Sequence, residues 1–222
     1  MTVSVMTRLV IKDLYLVRWI ALGSLVAGLV SAAIMPMGAV SAYVGGVSLI
    51  CVIVILNIMI VMSSVVQERK DKALLFVLSL PISTTQYTLA KVTANVIAFG
   101  LTWLAISIAA IVVIDLSDVP NGRIPFLVTV LVYLLAYYCV LLGVAVASDS
   151  TGWHATVITL GNVSVNFLIP FLLGRPSIGP HLNSPTAVWS TDVAVFIAVE
   201  AAIGVAALAA CLVVRSRARN FV

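Results

Sequence analysis

Five consecutive charges, Glu68, Arg69, Lys70, Asp71 and Lys72, open the stretch ERKDKALLFVLSLPISTTQYTLAK. Cations clustered this way can grip acidic groups on a soluble partner. Glu68 and Lys72 stand i,i+4, which supports a helix. Leu74, Leu75 and Leu78 add an apolar surface, and Pro81 stops the helix. Ser83, Thr84 or Thr85 then caps the next one, which runs through Lys91. The segment 67–91 therefore reads as a helix–break–helix elbow, although an ordinary connecting loop carries the same composition.

Three further polar residues sit where polarity is costly. Glu200 lies in an apolar run, where a charge costs about 2.5–3.5 kcal/mol on insertion scales. Two readings stand: it lines a transport path, or it is a protonated carboxyl bonded to a neighbouring helix. Asn162 and Asn166 share one helix face at i,i+4 spacing. Interhelical hydrogen bonds are their usual use, and a substrate contact is the alternative. Asn57 and Asn95 invite the same interhelical reading.

Familiar catalytic patterns are missing. The chain has no Gly-x-x-x-x-Gly-Lys-Ser/Thr and thus no phosphate-cradling loop. It has no His-Glu-x-x-His and no Gly-x-Ser-x-Gly. His154 and His181 are expected on opposite sides of a membrane, which argues against a shared zinc. Cys51, Cys139 and Cys211 lie in apolar runs and read as small buried hydrophobes.

The elements that hold these residues are membrane spans. Only 9% of the 222 residues are charged, 63% are hydrophobic, and mean hydropathy is +1.23. No charge occurs over the 49 residues from Trp19 to Gln67. One helix of that length would measure about 74 Å, against a hydrocarbon core of about 30 Å. The run must fold back, and Pro36 with Gly38 predicts the turn. Six spans follow, at about 19–35, 43–66, 92–114, 126–147, 153–173 and 193–214. They form a single all-α domain over residues 1–222.

Ten of the twelve Lys and Arg residues fall in the termini and in the connections after spans two and four. Arg123 and Arg175 alone fall on the other side. The positive-inside bias puts both termini in the cytoplasm. It also accounts for the basic pI of 9.2 without a nucleic-acid partner. Residues 1–18 are expected to form an amphipathic helix in the interface, since Arg8, Lys12 and Arg18 would be costly in hydrocarbon. The alternative is an extension of span one. The start lacks a signal-peptide pattern and is expected to be retained.

At this point the chain resembles a known family. Glu68, Arg69, Leu74, Leu75, Leu78, Ser79, Leu80, Pro81, Ser83 and Lys91 match the segment between the second and third spans of ABC-2 type permeases, the membrane subunits of type V ABC exporters. IKDLYLVR, from Ile11 to Arg18, resembles the opening of small bacterial members. Asp71-Lys72-Ala73 departs from the Gly-Thr of many relatives.

The resemblance implies a bacterial plasma-membrane exporter subunit with a coupling helix seated in a separate ATPase. That helix would use Glu68, Arg69, Lys70, Lys72, Leu74, Leu75, Leu78, Pro81 and Ser83. ATP and magnesium would be held by the ATPase, with no cofactor in this chain. A second permease copy would complete the path. Short extracellular re-entrant helices are expected in residues 174–192, with an irregular surface loop as the alternative. The break in this region is expected from Pro170 and Pro180 onward. Glu200, Asn162 and Asn166 are the candidates for the path. A membrane scaffold recruiting a cytosolic partner, or a secondary transporter, are the rival readings. The few intramembrane charges suit an apolar or amphipathic substrate.

Overall fold

The structure, a computed structural model, describes residues 2–70, 84–148 and 150–217. Helix α1 spans Thr2–Ile34, a segment without a glycine before Gly23 and without any proline. A 3₁₀ turn at Met35–Met37 contains Pro36, and Gly38 follows at φ +141°. Only glycine adopts that conformation without strain. The expected fold-back at Pro36 and Gly38 is therefore where the chain turns.

Helix α2 covers Ala39–Val61 and passes into a π-helical segment, Met62–Val66. A short helix α3, Gln67–Lys70, continues it. Helix α4 covers Thr84–Asp115, α5 Arg123–Ala147, α6 Thr151–Leu173 and α7 Thr191–Arg217. Six helices are long and apolar enough to cross a membrane, and the described residues contain no strand.

Helix α5 is the hub. Val130, Leu134, Tyr138, Leu142 and Ala145 are buried along it, and α2, α4, α6 and α7 pack around it. Helix α1 lies against α2 and α4. The α5–α7 contact uses small residues. A Cβ on Gly143 would meet the Ala207 carbonyl oxygen at 3.1 Å, and one on Gly204 would meet Ala136 Cα at 3.4 Å. The Gly143 face and the alanine-rich run of α7 thus serve packing within one subunit. Arg215 Nε donates to the Val146 carbonyl at 2.7 Å and ties the end of α7 to the last turn of α5. A cation there also suits the helix dipole.

Three expectations are corrected. Residues 1–18 are not a separate interfacial helix, because α1 runs unbroken through them. Nothing in that stretch breaks a helix, and one of the charges that argued for lifting it out, Lys12, finds a partner on another helix, Glu68. Residues 174–192 hold no re-entrant helices. Up to the start of α7 at Thr191 they hold one 3₁₀ turn, Gly179–His181, and otherwise irregular backbone. That backbone packs on the α4–α5 connection, where Gly122 N–H donates to the Ser184 carbonyl at 3.0 Å. Pro170 does not end α6, which continues to Leu173, because a proline in the last turn removes a single intrahelical bond.

Candidate functional site

Two neighbours on α1, one residue of α3 and two of α4 converge at the end of the bundle where α1 begins. Lys12 Nζ lies 2.6 Å from Glu68 Oε1. Lys91 Nζ lies 2.8 Å from Asp13 Oδ2 and also pairs with Glu68 Oε2. Tyr87 stands one turn before Lys91 on α4, and its hydroxyl donates to Glu68 Oε2 at 3.3 Å. Lys12 and Asp13 are themselves 3.5 Å apart. Two cations face two anions, so the cluster is neutral as a unit.

Its interior is dry. The side chains of Lys91, Asp13 and Glu68 are 3%, 6% and 6% exposed, and only Lys12 reaches solvent, at 49%. Burial alone would push the Glu68 carboxyl up. Hydrogen bonds and charge from Lys12 and Lys91 outweigh it and hold the group below its ordinary 4.5. Removing one partner of a buried pair costs about 3–5 kcal/mol, because it leaves an uncompensated charge. Breaking the cluster is therefore costly even where its net contribution to stability is small.

A polar ladder continues from it into the bundle. Asn95, one turn beyond Lys91, donates through Nδ2 to the Lys91 carbonyl at 2.9 Å. Ser64, in the π-helical segment, donates to Asn95 Oδ1 at 2.6 Å and lies 2.7 Å from the Ile60 carbonyl oxygen. Tyr138 of α5 donates to the Asn95 carbonyl at 2.8 Å and stacks on Phe99, centroids 3.9 Å apart. Deeper still, Asn57 donates to the Leu134 carbonyl at 3.3 Å. Asn57 and Asn95 thus bond across helices, as buried amides in a membrane are expected to do.

The structure scatters the sequence-derived candidates. Glu68 lies in the buried cluster, and its partners are Lys12 and Lys91. Arg69 and Lys70 belong to the backbone of α3. Lys72, Leu74, Leu75, Leu78, Pro81 and Ser83 lie outside the described residues. Glu200 is buried on α7, and its Oε2 has no hydrogen-bond partner among the described residues. Asn162 and Asn166 are on α6. Asn166 Nδ2 donates to the Asn162 carbonyl at 2.8 Å, a bond within one helix and not between two. Asn162 Oδ1 is buried without a hydrogen-bond partner among the described residues. Helices α6 and α7 each lie on α5, and α7 also touches α4.

Sequence reading missed the cluster itself. Its signal was present: Asp13 and Lys91 are charges bordering apolar runs, and such residues require partners. Pairing them needs the knowledge that α1 packs on α4. Among the described residues no group of three or more His, Cys, Asp or Glu side chains is placed to hold a metal.

An all-helical membrane protein with six candidate spans and a buried ion cluster at one end is the class that the geometry defines. A family model for ABC-2 family transporter proteins matches residues 22–191, well over half of the chain. The chain belongs to that family. It is an ABC-2 membrane domain, which is a permease and not the ATPase. The matched range includes Glu68 and Lys91 and begins after Lys12 and Asp13. Neither a curated protein nor a solved structure matches the chain.

Proposed function

We propose that this chain is the permease subunit of an ATP-driven exporter in a bacterial plasma membrane, driven through the elbow 67–91 by a separate ATPase. Both termini and the elbow face the cytoplasm. Two permease copies enclose the path, and the ATP and magnesium belong to the ATPase subunits. The observation that carries this reading is the ion cluster. Glu68 stands just before residues 71–83, Lys91 stands just after them, and the two pair with each other and with α1.

A soluble subunit pushing on residues between those posts would move α2, α4 and α1 together. Arg69, Lys70 and Lys72 would meet acidic groups of the ATPase, and Leu74, Leu75 and Leu78 would fill an apolar groove. Pro81 and Ser83 would set the bend. The π-helical segment Met62–Val66 gives α2 a place to yield, since such segments often sit at functional positions. Glu200, with a buried oxygen that has no partner among the described residues, suits a role in the path or against the second copy. Asn162 and Asn166 belong to the same proposal.

The test is a Leu75→Asp, Pro81→Ala double variant. Loss of ATPase co-purification and of permease-dependent ATP hydrolysis is expected. Unchanged co-purification and hydrolysis would remove the coupling assignment.

A further inference from the structure

At the end of the bundle opposite the ion cluster, a cavity of about 360 Å³ lies between the start of α2, the ends of α4 and α6, and the start of α5. Known small-molecule sites begin at about 300 Å³. Its walls are apolar: Met35, Tyr43, Ile50, Leu127, Val130 and Ile169. Tyr43, Val47 and Leu173, which also line it, are exposed on the outside of the bundle, so the cavity opens sideways.

One cation lines it, Arg123. No carboxylate among the described residues is within ion-pair distance of that guanidinium. Arg123 is also the first residue of α5, a 25-residue helix whose Gly122 cap supplies no side-chain bond. A cation in the first turn works against the helix dipole, so an anion paired with the guanidinium is favoured there. The N–H groups of Arg123 and Ile124 are already bonded to the Pro120 and Asn121 carbonyls, which leaves the guanidinium as the anion-binding group. The mouth of an apolar cavity thus carries a positive charge with no carboxylate beside it among the described residues.

Gly46 supports an occupant of the cavity. It lines the space, and a Cβ there would meet nothing within 4 Å. Glycine inside a helix is unfavourable, and here no close contact requires it. A side chain at this position would project into the cavity.

We infer that this cavity binds an anionic amphiphile drawn from the membrane, its single apolar chain in the cavity and its anionic head at Arg123. The site is independent of the coupling reading and lies at the other end of the molecule from it.

The experiment is native mass spectrometry of the full chain in nonionic detergent. The probes are lysophosphatidylglycerol and the uncharged monoacylglycerol of the same chain length. Wild type is expected to retain the anionic lipid about tenfold better, the scale of one strong polar contact. Arg123→Gln is expected to abolish that preference. Gly46→Leu is expected to lower retention of both lipids, whereas Gly23→Leu, on α1 with nothing within 4 Å, leaves retention unchanged. Unfolding temperatures confirm that each variant is folded, and Arg123→Gln carries the test should Gly46→Leu fail to fold. Equal retention of the two lipids by wild type would overturn the inference. So would a preference that survives in Arg123→Gln, full retention by folded Gly46→Leu, or displacement by millimolar inorganic phosphate.

Discussion

Lys91 is the pivot of the site at the scale of single residues. Its ammonium is buried against two carboxylates from two other helices. Lys91→Met leaves Asp13 and Glu68 facing each other without their buried cation. A loss of about 3–5 kcal/mol is expected, read as a lowered unfolding midpoint in detergent. Lys12→Ala removes a half-exposed partner and is expected to cost less than about 1 kcal/mol. Equal losses from the two would contradict the geometry. Glu68 gives the cluster a pH dependence. Its folded value lies below the ordinary 4.5, so its contribution is complete above about pH 4.5 and is lost as pH falls through the folded value. The wild type should therefore lose more stability on acidification than Glu68→Gln does, by thermal unfolding across that window. Glu200→Gln is expected to express and fold normally, because no hydrogen bond within the described chain is lost, and to impair export. Normal export would assign Glu200 a structural role.

The turn at Pro36–Gly38, the six hydrophobic runs and their order are legible at the scale of elements, because backbone chemistry and hydrocarbon thickness are local constraints. Residues 1–18 were harder. Arg8, Lys12 and Arg18 argue for a helix outside the hydrocarbon if each charge is considered alone, yet Lys12 and Asp13 are neutralised by partners 56 and 78 positions away. The fate of Pro170 was equally hidden, since a proline in a helix's last turn and one just beyond it look alike in a sequence. The same limit applies to Glu68. Its i,i+4 relation to Lys72 is local, whereas its pairing with Lys91 depends on how α3 meets α4. Close helix contacts make a test at this scale. A Cβ on Gly161 of α6 would overlap the Tyr137 ring of α5. Gly161→Ala is expected to cost about 1–3 kcal/mol through overpacking, although alanine is the better helix former. A stabilised Gly161→Ala would show that the α5–α6 contact is looser than described.

The whole molecule places an ion clamp at one end and an apolar cavity with a single cation at the other. By sequence, ten of the twelve basic residues fall in the termini and in the connections after spans two and four, which is the basis for the proposed orientation. A fluorescent protein fused after Val222 should fluoresce in cells, and alkaline phosphatase fused there should be inactive. Active phosphatase would invert the orientation. The proposed coupling has an ATPase drive this permease through the segment between two posts, Glu68 and Lys91. The direct measurement is ATP hydrolysis by the reconstituted complex of the chain with its co-purifying ATPase, wild type against Glu68→Gln, with the variant shown to be folded. The expected result is an ATPase that stays bound while permease-dependent hydrolysis falls about tenfold or more. Full permease-dependent hydrolysis in folded Glu68→Gln would contradict the account.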